Sequence, residues 1–225
     1  MCGRYSLSST PARINSQFNV AVGTELKPRY NITPGTDVLM VRAGNDSNRN
    51  RHESAHWGFT PAWLKPDKPG PRPINARAEG IGTKPMFRNA LLHRRCIIPA
   101  DGFYEWKTLG RGKQPWFIRP REDVLFGFAG IFEPANELSG DRPSCAIITT
   151  EANALMQSIH GRMPAILAPQ DYARWLDPAL ADSRALGAML RPCDADIMVA
   201  WPVSTRVNSP ANDDETLIRP VDEPA

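Results

Sequence analysis

The second residue of the chain is a cysteine, in MCGRYSLSST, and its position matters as much as its type. Methionine aminopeptidases remove Met1 when the next side chain is small, and cysteine qualifies. The mature chain then starts at Cys2, with an α-amine and a thiol on adjacent carbons. Reference pKa values of about 7.7–8.0 and about 8.5 leave both groups partly deprotonated near neutrality. Such a 1,2-aminothiol has two chemistries open to it. Its thiolate can attack an acyl carbon, with the amine as base. Alternatively, the amine condenses with an aldehyde to an imine, and the thiol closes onto the same carbon as a five-membered thiazolidine. The plain alternative is a cysteine that merely stands second.

Other residues could serve either chemistry. Arg4 puts a cation within reach of any anion held near the N-terminus. Asn75 and Arg77 lie two apart in INARAE and would share one face of a strand. Glu105 sits among Phe103, Tyr104 and Trp106 in DGFYEW. It is either exposed by strand alternation or buried with a raised pKa, as acid/base work requires. His160, in SIHGRMP, has Arg162 two residues on and a proline shortly after, which predicts an element end facing a cleft. Each has an ordinary reading too. Asn75 could cap a turn, Glu105 could pair with an arginine, and His160 could be a satisfied core histidine.

The elements that must position these residues are short and punctuated by 22 prolines. Thr10-Pro11 reads as an N-cap and first-turn proline opening a helix through about Phe18. Strand-like runs follow at Val38–Arg42 and His56–Phe59, then a Pro/Gly/Lys loop from Lys65 to Pro73. Helical spacing covers Phe87 to His93. The middle is strand-rich: Cys96–Ile98, Phe103–Lys107, Trp116–Arg119, Val124–Phe132 and Cys145–Thr149. Short helices are expected at Ala152–Ile159, Asp171–Leu176 and Ser183–Leu190, with a last strand at Ile197–Val203. Many strands with few intervening helices predict an α+β fold. We expect a single domain on a mainly antiparallel, barrel-like β-sheet with short peripheral helices. A doubly wound fold is disfavoured, because strands and helices do not alternate and no Gly-rich phosphate fingerprint is present.

Composition narrows the class. With 225 residues, 41% hydrophobic and 23% charged, the chain resembles ordinary globular proteins rather than disordered or fibrous ones. No stretch approaches the roughly 20 unbroken apolar residues of a membrane-spanning helix, and the N-terminus lacks a secretory apolar segment. Cys2, Cys96, Cys145 and Cys193 lie far apart, without C-x-x-C spacing, so neither a zinc site nor a disulfide framework is expected. No metal and no cofactor is predicted. A reduced cytoplasmic protein is expected, nucleoid-associated in a bacterium. Up to residue 207 there are 26 basic and 19 acidic side chains, a surplus of seven cations. From Asn208 onward there are five acids and one arginine. Arginine supplies 21 of the 27 cations; it is suited to bidentate phosphate contacts, though a coding bias toward arginine would give the same count.

Several motifs together resemble one family. MCGRY at the start, RYNITPGT at 29–36, WGFTPAW at 57–63, INARAE at 74–79 and FR at 87–88 follow the pattern of the SOS response-associated peptidase (SRAP) domain. So do RRCIIPADGFYEWK at 94–107 and IHGRMPAIL at 159–167. Order and spacing hold from residue 2 to about residue 207. Two features depart from the pattern: Gly161 stands where relatives often carry a larger residue, and the acidic tail lies outside it. The expected division is an SRAP-like domain over 1–207 and an acidic, flexible tail over 208–225.

The resemblance implies a sensor of abasic sites in single-stranded DNA. In that family the N-terminal cysteine forms a thiazolidine with the ring-opened sugar aldehyde, a stable crosslink that shields the lesion. By position, Cys2 would be the nucleophile and Asn75 would orient the sugar or the Cys2 amine. Glu105 would handle protons as the imine forms and cyclises, and His160 would assist ring opening and the reverse reaction. The resemblance also implies phosphate contacts from Arg4, Arg77 and Arg162, with Trp106 and Thr149 lining the DNA groove. The family name reflects a peptidase activity, read here as removal of the chain's own Met1. A monomer is expected. Two other classes stay open. One is an N-terminal-nucleophile amidohydrolase of the glutaminase kind, which also begins Met-Cys-Gly. The other is a non-catalytic single-strand binding module. Replacing Cys2 separates them, since a pure binder loses nothing.

Overall fold

The computed structural model describes residues 2–222 except 45–48, 66, 68, 69 and 123. Met1, part of the 65–73 loop and residues 223–225 of the expected tail therefore lie outside the described residues. In chain order the elements begin with β1 (Tyr5–Leu7), α1 (Pro11–Phe18), β2 (Arg29–Ile32), β3 (Asp37–Arg42), β4 (Arg51–Trp57) and β5 (Asn75–Arg77). Next come α2 (Arg88–His93), β6 (Arg95–Ala100), β7 (Gly102–Leu109), β8 (Gly112–Pro120), β9 (Phe126–Glu133) and β10 (Ser144–Glu151). The last are α3 (Ala154–Gln157), β11 (Arg162–Pro164), β12 (Ile166–Leu167), α4 (Tyr172–Leu176), α5 (Ser183–Ala188) and β13 (Met198–Pro202).

Two sheets form. One has the order β13-β8-β7-β1-β2. The other runs β11-β10-β4-β3-β6-β9-β12, and β10 also pairs β9, which closes the path into a ring. Pairing is antiparallel except where β10 meets β4 and β5. The chain adopts the expected α+β, mainly antiparallel fold, and the expected barrel is realised as a ring-like sheet rather than a strict barrel. Ring-like closure protects strand edges that would otherwise present unpaired backbone groups. The principal core lies between the sheets and includes Trp57, Phe59, Phe103, Phe128 and Trp175, all buried. Gly102 opens β7 where the chains are too close for a side chain: a Cβ there would stand 2.6 Å from the Ile118 carbonyl oxygen.

β10 is the hub of the ring. Its first half pairs β9 on one side and β4 on the other. Its second half exchanges these for β11 and β5. The second half thus carries Asn75 and Arg77 along one edge and Arg162 along the other. The five-stranded sheet supplies the rest, because β1 pairs β7 at Tyr5–Phe103 and Tyr104 N–H donates to the Arg4 carbonyl at 2.9 Å. That ladder brings the N-terminal residues alongside Glu105.

Residues 208–222 are not a loose tail. Leu217, in a 3-10 turn at Glu215–Ile218, is fully buried in a second apolar cluster with Tyr104, Phe117, Val203 and Val207. Asp213 accepts from the backbone N–H groups of Tyr30 and Asn31. The acids of this segment are used as caps: Asp214 accepts from Thr216 N–H at 3.0 Å and pairs with Arg206 at 2.9 Å. Charge density alone suggested solvation, whereas Leu217 and the caps anchor the segment.

Candidate functional site

Cys2 is fully buried where the two sheets face each other. Asn75, the first residue of β5, donates from Nδ2 to the Cys2 carbonyl at 2.9 Å. Its Oδ1 is buried and accepts no hydrogen bond among the described residues. The amide thus fixes the N-terminal backbone with one end and leaves an acceptor turned to the interior with the other. Glu105, on β7, is only 3% exposed. Burial pushes the Cys2 thiol well above its ordinary pKa, and the Glu105 carboxylate adds to the shift, against a hydrogen bond from the Arg4 backbone N–H. The sulfur is held as a thiol at neutral pH.

His160 follows α3 and precedes β11. Its backbone N–H donates to the Met156 carbonyl at 2.8 Å, and α3 is itself capped by Asn153, whose side chain accepts from Met156 N–H at 3.0 Å. The ring is about one-third exposed, with Nδ1 lying 4.0 Å from Glu105 Oε1. The same nitrogen is 3.0 Å from the Arg162 backbone nitrogen and 3.1 Å from the Arg162 carbonyl oxygen. A neutral ring can accept from the first and a protonated ring can donate to the second, so both protonation states have a partner. Gly161 offers open space around a would-be Cβ; the neighbouring hydrogen bonds hold His160 in place.

Cys2, Asn75, Glu105 and His160 therefore converge, Glu105 from one sheet, Asn75 from the other, and Cys2 and His160 from the segments leading into β1 and β11. The alternation argument for Glu105 fails here because β7 is covered on both faces. Phe103 packs into the main core while Tyr104 faces the second cluster.

The expected groove residues divide. Arg162 joins the site: its Nη2 donates to the Thr149 carbonyl at 2.7 Å and to Glu79 Oε2 at 3.0 Å, and Nη1 pairs with Glu79 Oε1. Thr149 is fully buried beneath it, between Arg77 on β5 and Pro164 on β11. Arg77 is exposed on the same face of β5 as Asn75. Arg4 and Trp106 bond to the C-terminal segment. The Arg4 guanidinium donates to Asn31 Oδ1 at 2.9 Å, to the Val207 carbonyl and to the Asn208 carbonyl at 3.1 Å. Trp106 Nε1 donates to Asn208 Oδ1 at 2.8 Å. Both hold the C-terminal segment against the sheet that carries Cys2. The sequence reading overlooked Asn31, which is buried and donates to the carbonyls of Val207, Ser209 and Asn212. It also overlooked Glu79, whose signal is an acid two residues beyond Arg77.

This arrangement can be set against known proteins. The family described as SOS response associated peptidase (SRAP) matches residues 1–210. The chain belongs to the SRAP family. Among curated relatives, abasic site processing protein YoqW of Bacillus subtilis is 44% identical over 223 residues, covering 97% of this chain and 99% of that protein. Abasic site processing protein YedK of Escherichia coli is 32% identical, covering 98% and 100%. Abasic site processing protein HMCES of Gallus gallus is 34% identical, covering 87% of this chain and 67% of that protein. A crystal structure of a Bacteroides thetaiotaomicron protein superposes with a TM-score of 0.85 at 26% identity, covering 98% of this chain and all of that one. No helix of this SRAP chain is long and apolar enough to cross a membrane among the described residues.

Proposed function

We propose that this SRAP protein processes abasic sites in single-stranded DNA by forming a thiazolidine crosslink through Cys2 after Met1 is removed. The observation that carries the reading is the convergence of buried Cys2 with Asn75, Glu105 and His160; the curated relatives' names supply the substrate. An abasic sugar in its ring-opened form presents an aldehyde carbon. The Cys2 amine adds to it, and the carbinolamine loses one water as the Glu105 carboxylate takes a proton from the nitrogen and passes it to the departing hydroxyl, ending as the carboxylate it began as. The thiol then adds across the C=N bond, with sulfur bonding to carbon and the thiol proton ending on nitrogen. One water is lost overall and nothing is oxidised or reduced.

The protonated thiol fits this order of events, because the amine attacks first and the sulfur needs its proton until the ring closes. A glutaminase-type mechanism needs a thiolate at the outset, which burial beside a carboxylate opposes. Asn75 Oδ1 is positioned to accept from the Cys2 amine once Met1 is gone. His160 assists opening of the sugar ring and, in reverse, release of the crosslink, while Arg77 and Arg162 take the flanking phosphates. Arg4, which also bonds the C-terminal segment, adds a phosphate contact, and Trp106 lines the DNA groove with Thr149.

The test uses the purified protein with a single-stranded oligonucleotide bearing one abasic site. A heat-stable shift on a denaturing gel is expected with this strand and not with an undamaged one. The absence of a shift with the abasic strand contradicts the reading.

A further inference from the structure

Arg162 is already bound to an anion. Its guanidinium faces the Glu79 carboxylate in a two-point pair, Nη1 to Oε1 and Nη2 to Oε2. The two partners are unequally placed: the Arg162 side chain is 20% exposed and rooted on the Thr149 carbonyl, whereas Glu79 is 53% exposed. Glu79 stands in the short 3-10 turn Ala78–Gly80 that directly follows β5, two residues beyond Arg77. Hydrogen bonding from Arg162 holds its carboxyl below the usual carboxylate range, with Arg77 contributing, so it remains charged at neutral pH.

A carboxylate and a phosphate offer the guanidinium fork the same pair of oxygens. Glu79 therefore occupies the face of Arg162 that a backbone phosphate would approach from solvent. We propose that Glu79 is a specificity residue: an internal phosphate mimic that competes with nucleic acid for Arg162 and weakens capture of undamaged single strands. The inference rests on the proposed binding of a single strand at this site. A strand that binds by phosphates alone must displace Glu79, whereas a strand that also delivers an aldehyde to Cys2 is retained covalently. Because Arg162 sends its backbone N–H to His160 Nδ1, displacing Glu79 frees the guanidinium without removing the hydrogen bond that orients the ring.

The experiment measures binding of a fluorescent, undamaged single-stranded oligothymidine by anisotropy across a salt series. Glu79→Gln keeps the shape and removes the charge. It should bind about two- to fivefold more tightly at low salt, the range expected from losing a competing exposed ion pair. The slope of log affinity against log salt should steepen by up to about 0.7, one single-strand phosphate contact. In an Arg162→Ala background the gain should shrink by at least half. An unchanged slope, a loss of affinity, or an equal gain in both backgrounds overturns the proposal. A parent protein that binds no single strand at any salt overturns the proposed single-strand binding and the competition with it; parent binding that Glu79→Gln leaves unaltered overturns the competition alone.

Discussion

At the scale of single residues, the chemistry depends on where protons are kept. The Cys2 thiol is buried beside Glu105, which lies 4.0 Å from His160 Nδ1. Loss of water from a carbinolamine requires a proton at the leaving hydroxyl, and a carboxyl group can carry one where an amide cannot. Glu105→Gln should therefore slow crosslink formation by roughly two to four orders of magnitude while leaving the affinity for single strands unchanged. A time course with an abasic oligonucleotide, paired with anisotropy on an undamaged one, checks both halves. A variant that reacts at the parent rate would make Glu105 structural.

At the scale of elements, the site adjoins a segment that charge patterning had marked as an acidic, flexible tail. Asn31, Arg4 and Trp106 all bond to residues 207–212, and Leu217 closes the apolar cluster beneath Tyr104. Leu217→Ala should lower unfolding stability by about 2–5 kcal/mol, measured in urea. The crosslinking rate should fall as well, since Arg4 is two residues from Cys2. The same segment shows where sequence reasoning stops. Strong local patterns were legible: α1 and the strands β6 to β10 lie close to where apolar runs and Thr10-Pro11 placed them, although the Thr10 hydroxyl makes no cap and the proline at the first helical position remains the local signal. β1, only three residues long and buried throughout, has no alternation to detect, and β4 extends back to Arg51 through Arg51-His52-Glu53, whose charges mask it. The site residues were legible as a family pattern. Their grouping was not, because it arises from β10 exchanging partners half-way along its length. Pairing across more than 70 positions, as between Cys2 and Asn75, leaves no local signature.

At the scale of the whole molecule, the protein stores its thiols protonated. Burial pushes Cys96 well above its usual value and raises Cys145 and Cys193 to about 12. Folded pKa values above the unfolded one mean that this contribution to stability is complete below the unfolded thiol value and is lost as pH rises through and beyond it. Stability in urea should hold up to about pH 8 and then fall by about 1.4 kcal/mol per pH unit for each buried thiol above about pH 8.5. Cys145→Ala should remove one thiol's share of that slope, and a stability that does not fall with pH above about 8.5 would contradict the account of buried, protonated sulfur. The central claim concerns the chain's own first residue. An amide nitrogen has its lone pair delocalised into the peptide bond, so Cys2 can form an imine only when Met1 is gone. The most direct measurement is the intact mass of the complex formed with a single-stranded abasic oligonucleotide, followed by peptide mapping. The account predicts a protein half that begins at Cys2, joined to the DNA with loss of one water and with the adduct on the N-terminal peptide. A full-yield crosslink whose protein half still carries Met1, or whose adduct maps to another residue, would contradict it.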